Sequence, residues 1–196
     1  MIEQRKKETP KIYIIMNKPE GYVCSAVSDS HKTVYELLPS EFQELVQNAK
    51  RGERLHTIGR LDCNTSGLLI FTNDGIFSHN ISAPEKHINK IYEVELKNSV
   101  LKEEQIIYQK KAFQGIVLPA EKKYGEQKSS PMTITFKSES KCFIELSEGK
   151  FHQVKRTFSA LGNEVIKLCR IKIGKLELNK NLKPGDYKIL NHPPEI

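Results

Sequence analysis

No stretch of this 196-residue chain approaches the roughly 18 consecutive apolar residues of a membrane span. Cysteine is scarce. Cys24, Cys63, Cys142 and Cys169 are scattered and form no C-x-x-C pair, which argues against a zinc ribbon and fits a reducing cytoplasm. There is no P-loop and no G-x-G-x-x-G, so nucleotide sites of those kinds are excluded. His56, His79, His87 and His152 lack the i, i+4 spacing of a helical zinc site. The opening residues mix Glu3 with Arg5, Lys6 and Lys7 and lead into no signal-type apolar region, which argues against export. Internal repeats and low-complexity tracts are also missing.

What is present is a basic chain of globular composition. Hydrophobic residues make up 38% and charged residues 28%, too apolar for a disordered chain. The length suits one domain, or one catalytic unit of two lobes sharing a cleft, and buries a core without disulfide or metal staples. Lys plus Arg outnumber Asp plus Glu by 31 to 24, a net +7. Nearly all of it is local. Residues 150–175 hold seven cations (Lys150, Lys155, Arg156, Lys167, Arg170, Lys172, Lys175) against Glu164 alone, a net +6. A polyanionic partner is one reading of that run, and a solvated surface is the other.

Residues 1–11 read as a basic lead-in, and the catalytic unit as residues 12–196. Ile12–Met16 and Leu68–Thr72 are continuous apolar runs bounded by Asn17–Gly21 and Asn73-Asp74-Gly75, the pattern of buried strands closed by turns. Tyr92, Val94 and Leu96 alternate with polar residues over Lys90–Leu96, as do Met132, Ile134 and Phe136, with Cys142–Leu146 as their partner strand. Val165–Ile173 reads as a further strand. Ser40 with Gln43 forms a capping-box pattern for a short helix before Gly52. Leu101–Phe113 reads as helix. So does Phe151–Leu161, where Phe151, Val154, Phe158 and Leu161 recur at helical spacing ahead of Gly162. The predicted class is α+β with a mostly antiparallel, mixed sheet and flanking helices.

The densest chemical signal is Gly59-Arg60-Leu61-Asp62-Cys63-Asn64-Thr65-Ser66-Gly67, a loop of small residues holding one acid and one arginine just before a buried strand. Loops on a rigid sheet commonly present catalytic groups. The plainer reading is a turn in which Asp62 caps a backbone N–H. On the Phe151–Leu161 helix, His152, Lys155, Arg156 and Ser159 fall at i, i+3, i+4 and i+7, one polar face. By its strand position alone, Tyr92 reads as a core aromatic.

Four segments together resemble a known family. Gly59-Arg60-Leu61-Asp62 followed by Thr65-Ser66-Gly67-Leu68-Leu69 resembles the aspartate motif of pseudouridine synthases. Met16–Ser25, Lys90-Ile91-Tyr92 and Glu148-Gly149-Lys150-Phe151-His152-Gln153-Val154-Lys155-Arg156 resemble segments of the RsuA family of bacterial ribosomal RNA pseudouridine synthases, in the same order. The resemblance covers residues 12 to 190. It implies the pseudouridine synthase fold, with two lobes around a central RNA-binding cleft. It also implies isomerisation of a uridine in structured RNA, without metal or organic cofactor. Asp62 is the implied nucleophile, Lys155 its cationic partner, and Tyr92 the aromatic under the uracil. Arg60 is implied to fill the gap left by the displaced nucleotide. Lys18, Lys90, Arg156 and the 167–175 strand, Arg170 included, are expected to contact phosphates. His152 is expected as an RNA or structural hydrogen-bond partner outside the catalytic set.

The expected target is 16S small-subunit ribosomal RNA, with 23S rRNA, tRNA or a non-catalytic role in ribosome assembly as alternatives. A cytoplasmic monomer, free of membrane, is expected. The chain departs from the family pattern twice. Its first strand begins too early for the S4-type domain that commonly precedes the catalytic part, so none is expected here. Ser78-His79-Asn80 stands where the family usually has Ser-His-Arg, which removes one expected phosphate contact.

Overall fold

The computed structural model describes residues 10–50 and 52–196. The lead-in expected over residues 1–11 therefore lies, apart from Pro10 and Lys11, outside the described residues. Among those described, strands and α-helices follow in the order β1 (Tyr13–Lys18), β2 (Tyr22–Val23), β3 (Lys32–Thr33), α1 (Ser40–Gln47), β4 (His56–Ile58), β5 (Ser66–Thr72), α2 (Gly75–Ser82) and β6 (Lys90–Leu96). Then come α3 (Lys102–Gln114), β7 (Val117–Leu118), β8 (Gln127–Lys128), β9 (Thr133–Phe136), β10 (Lys141–Leu146), α4 (Gln153–Ala160), β11 (Val165–Ile173), β12 (Leu176–Glu177) and β13 (Tyr187–Leu190). No described helix is long and apolar enough to cross a membrane.

The main sheet runs β13-β1-β5-β11-β6-β10-β9, with β4 beside β5 and β12 beside β11. Every pairing in it is antiparallel except β5 with β11, which is parallel through Ser66↔Cys169 and Gly67↔Arg170. That pair joins two halves. In the first half, Ile14, Met16, Leu69 and Phe71 pack on Val34, Tyr35 and Val46. Ile15, Leu68 and Ile70 pack on the opposite face with Ile81. β1 and β5 are thus covered on both faces, which is why they read as unbroken apolar runs. In the second half, Val94, Leu96, Ile134, Ile144 and Leu146 face Ala112 of α3 and Val154 and Phe158 of α4. Phe158 is fully buried, and burial of a side chain this size stabilises by about 1.5–3 kcal/mol. It seats α4 on the sheet.

Local sequence explains most boundaries. α4 ends where Gly162 adopts φ 82°, with Asn163 N–H reaching the Phe158 carbonyl at 2.9 Å and Gly162 N–H that of Ser159 at 3.0 Å. The expected capping box at Ser40 is not formed. Pro39 occupies the cap, and the Gln43 amide instead donates to the Leu38 carbonyl at 2.7 Å. Asn73-Asp74-Gly75 closes β5 as predicted and also starts α2, a helix the sequence pattern does not announce. Asp74 Oδ1 accepts from the N–H groups of Ile76 and Phe77 while Oδ2 accepts from the Tyr13 hydroxyl.

Candidate active site

The Asp62 loop is shaped from below. Lys18, the last residue of β1, has no exposed surface. Its ammonium donates to the carbonyls of Thr65 (2.8 Å), Pro19 (3.0 Å), Asp62 (3.1 Å) and Cys63 (3.4 Å). Burial pulls its pKa down, against the raising influence of Cys24, Cys63, Asp62 and Glu20. The expectation that Lys18 meets an RNA phosphate is corrected. Its donors are already committed to main-chain oxygens of the loop, and it folds the loop instead.

With its backbone held, Asp62 turns its carboxylate, one-third exposed, into the junction between the halves. Lys155 of α4 places Nζ 3.5 Å from Oδ2 and also bonds Asn64 Oδ1. His152 caps α4 and places Nε2 3.6 Å from Oδ1, while its Nδ1 lies 2.8 Å from Glu121 Oε1. The His152 backbone is left-handed (φ 46°, ψ 32°). For a residue with a side chain that conformation costs roughly 1–3 kcal/mol, and it survives only where surrounding contacts hold it. Tyr92 enters from β6, packed against the cores of both halves. Together with Arg60, Leu61, Asp62, Lys150 and Lys155 it lines a pocket of about 80 Å³. A wider groove of about 950 Å³, walled by residues 23–25 and 59–63 on one side and 122–124 and 149–152 on the other, shares Asp62 and His152 with the pocket. Among the described residues, no group of three His, Cys, Asp or Glu side chains is placed to hold a metal ion.

Of the expected RNA contacts, Arg60 is exposed and lines both pocket and groove, whereas the exposed Lys167 and Lys175 of the basic strand line neither and face Glu95 and Glu195. Two more expectations are corrected. Arg156 is 2% exposed, and its guanidinium donates to the carbonyls of Leu118, Pro119, Gly125 and Phe151 and to Gln127 Oε1. It faces inward from α4, not along a polar surface with Ser159. Arg170 is 3% exposed and bonds the Leu68 carbonyl at 2.9 Å. Lys90 folds onto the Ile88 carbonyl, and burial together with Arg170 lowers its pKa. His152 is occupied by two carboxylates.

Two residues of the site are not predicted by the sequence. Glu148 opens the segment that runs to Arg156, where nothing local assigns it a role. Although burial raises its pKa, the outcome is a lowered value, held by Lys150, the Ser130 N–H and Gln153, so it anchors the start of α4. Glu121 carries no sequence signal at all. It lies 31 residues before His152 in a stretch to which the sequence pattern assigns no element.

Comparison with known proteins places this geometry. The description "RNA pseudouridylate synthase" covers the family that matches residues 12–160. The chain is 36% identical over 179 residues to the ribosomal small subunit pseudouridine synthase A of Pasteurella multocida, covering 91% of this chain and 70% of that protein. With its Vibrio vulnificus namesake it shares 38% identity over 178 residues, with the same coverage of each. A crystal structure of a pseudouridylate synthase superposes with a TM-score of 0.80 at 34% identity, over 94% of this chain and 72% of that one. The archaeal box H/ACA sRNP Nop10–Cbf5 complex, at 16% identity and a TM-score of 0.55 over 89% of this chain and 51% of that one, shares the fold alone. An aspartate loop set against a basic helix on this mixed sheet, matched in order and over nearly the whole chain, has one reading: the chain belongs to the RNA pseudouridylate synthase family.

Proposed function

We propose that this enzyme converts a uridine of ribosomal RNA, in the small subunit as the names of its relatives suggest, to pseudouridine, with Asp62 as nucleophile. The reaction breaks the C1′–N1 bond, turns the uracil, joins C1′ to C5, releases the C5 proton and protonates N1. A carboxylate that engages the uridine lets the base detach without leaving the site. The observation that carries the reading is the Asp62 carboxylate, exposed to the pocket and set between Lys155 and His152 at 3.5 and 3.6 Å, with Tyr92 in the same pocket. Lys155 holds the nucleophile at Oδ2. Tyr92 stacks on the uracil and offers its hydroxyl for proton transfer. Arg60 takes the place of the base drawn out of its stack, and the flanking strand lies in the wide groove. Residues 12–196 act as the catalytic unit, as a monomer in the cytoplasm, with no cofactor.

The test is Asp62→Asn, which keeps the shape of the side chain and removes the nucleophile. Its expected outcome is native folding and RNA affinity with no tritium released from RNA labelled at uridine C5. Turnover above trace level would remove Asp62 from this role. Mapping pseudouridines in ribosomal RNA from cells lacking the protein identifies the target, and an unchanged map would favour a binding role in its place.

A further inference from the structure

Between Pro119 and Gln127 the chain makes a tight hairpin, closed by reciprocal main-chain hydrogen bonds of 2.8 and 2.9 Å between Glu121 and Tyr124. The buried Arg156 staples it to α4 through the carbonyls of Leu118, Pro119 and Gly125 and the side chain of Gln127. The staple brings two groups against His152. Glu121 Oε1 sits 2.8 Å from Nδ1. Tyr124 stacks on Phe151 (ring centroids 4.3 Å, 16°), and Phe151 stacks on the imidazole (3.8 Å, 19°). One nitrogen and one face of the ring are thereby fixed. The remaining nitrogen, Nε2, faces Asp62 Oδ1 at 3.6 Å, while Lys155 holds Oδ2.

We infer that Glu121 and His152 are positioning residues: they lock the orientation of the Asp62 carboxylate from the side opposite Lys155. This rests on the reading of Asp62 as nucleophile. A carboxylate held at one oxygen still turns about its Cβ–Cγ bond, whereas contacts at both oxygens fix its plane, and orientation of the attacking group is a large part of an enzymic rate. An ionised Glu121 only accepts, so the proton between it and His152 sits on Nδ1. Nε2 then attracts Oδ1 when it carries the second proton, so the clamp is complete in the imidazolium form. The other charged and titratable groups around the ring are Lys155 of α4 and Lys150 just ahead of it, Arg60 and Cys63 of the aspartate loop, Cys24, Tyr92 of β6, and Lys122, Lys123 and Tyr124 of the hairpin. The left-handed backbone of His152 is thus accounted for: the hairpin, the stack and the carboxylate all demand the same ring position.

The experiment measures kcat and KM by tritium release from in vitro transcribed ribosomal RNA, using the full chain. Glu121→Ala is expected to lower kcat about ten- to hundred-fold with KM and thermal midpoint unchanged. Glu121→Gln should recover most of the loss, because its amide oxygen still accepts from Nδ1–H. His152→Asn, whose side chain tolerates the left-handed backbone, should be as slow as Glu121→Ala, and the double variant no slower than His152→Asn alone. Full kcat in Glu121→Ala, a loss confined to KM, or multiplying losses in the double variant would each overturn the inference. An active Asp62→Asn would sink the underlying reading, whereas an inactive Asp62→Asn beside a fully active Glu121→Ala sinks the positioning role alone.

Discussion

Lys18 and Lys155 both press on the Asp62 loop, yet they answer to different free energies. Lys155 and Asp62 are 22% and 33% exposed, and a pair that wet contributes only about 0–1 kcal/mol to stability. Lys155→Met should therefore leave the urea midpoint almost unmoved while cutting turnover, because the charge that holds Oδ2 is gone. Lys18→Met strips the ammonium from four loop carbonyls. Those of Asp62 and Cys63 keep the N–H groups of Thr65 and Gly21 as partners, but the buried bond to Thr65 is lost, and a buried acceptor left unpaired costs about 1–3 kcal/mol before relaxation. Its expected outcome is a large fall in the urea midpoint. Equal midpoints for the two variants would show that Lys18 does not hold the loop. In sequence, family resemblance sets Lys155 beside Asp62, whereas Lys18 reads as a cation at the RNA surface. Motif order is enough to put Asp62, Tyr92 and Lys155 in one site, which the fold brings together. Charge along a chain does not reveal which cation the fold swallows, so Lys18, Arg156 and Arg170 are misread from sequence alone.

At the scale of elements, the join between β5 and β11 carries the whole arrangement, because it sets the aspartate loop of one half against the strands of the other. Gly67 permits that join. Its φ is +106°, and a Cβ there would stand 2.3 Å from the Arg170 carbonyl oxygen. Gly67→Ala is expected to destabilise by roughly 2–4 kcal/mol from strained backbone plus overpacking. Gly75→Ala, in the first turn of α2 with nothing within 4 Å, should be neutral or stabilising by up to about 1 kcal/mol. Chemical denaturation of both variants checks this, and a Gly67→Ala midpoint equal to the wild type would mean that β11 shifts without cost. The long strands are legible because burial on both faces makes β1 and β5 continuous apolar runs, while one-sided burial makes β6 and β9 alternate. Two-residue strands such as β2 and β7 give no period to read. α2 is hidden because its cap, Asp74, sits inside a sequence that equally well ends a strand.

For the whole molecule, the electrostatic picture drawn from the sequence is redistributed by folding. The run over residues 150–175 sums to a net +6. In the fold, Lys150 pairs with Glu148, Lys155 with Asp62, Lys167 with Glu95, Lys172 with Glu177 and Lys175 with Glu195. Arg156 and Arg170 are buried. Carboxylates outside the run, which no local count can see, pair five of its seven cations. By contrast Lys122 and Lys123 are exposed on the groove, their ammonium groups over the rings of Phe151 and Tyr124. Neither they nor Arg60 enters an ion pair among the described residues. Phosphate binding should follow the unpaired cations, because a lysine already facing a carboxylate releases no counterion when a phosphate replaces it. Replacing Lys122 and Lys123 by Gln should flatten the slope of log K against log salt by about 0.7–0.9 for each phosphate no longer neutralised, measured by fluorescence anisotropy on ribosomal RNA fragments. Lys172→Gln with Lys175→Gln should leave the slope nearly unchanged. The reverse pattern would return the RNA to the basic strand and place its backbone along β11, away from the groove.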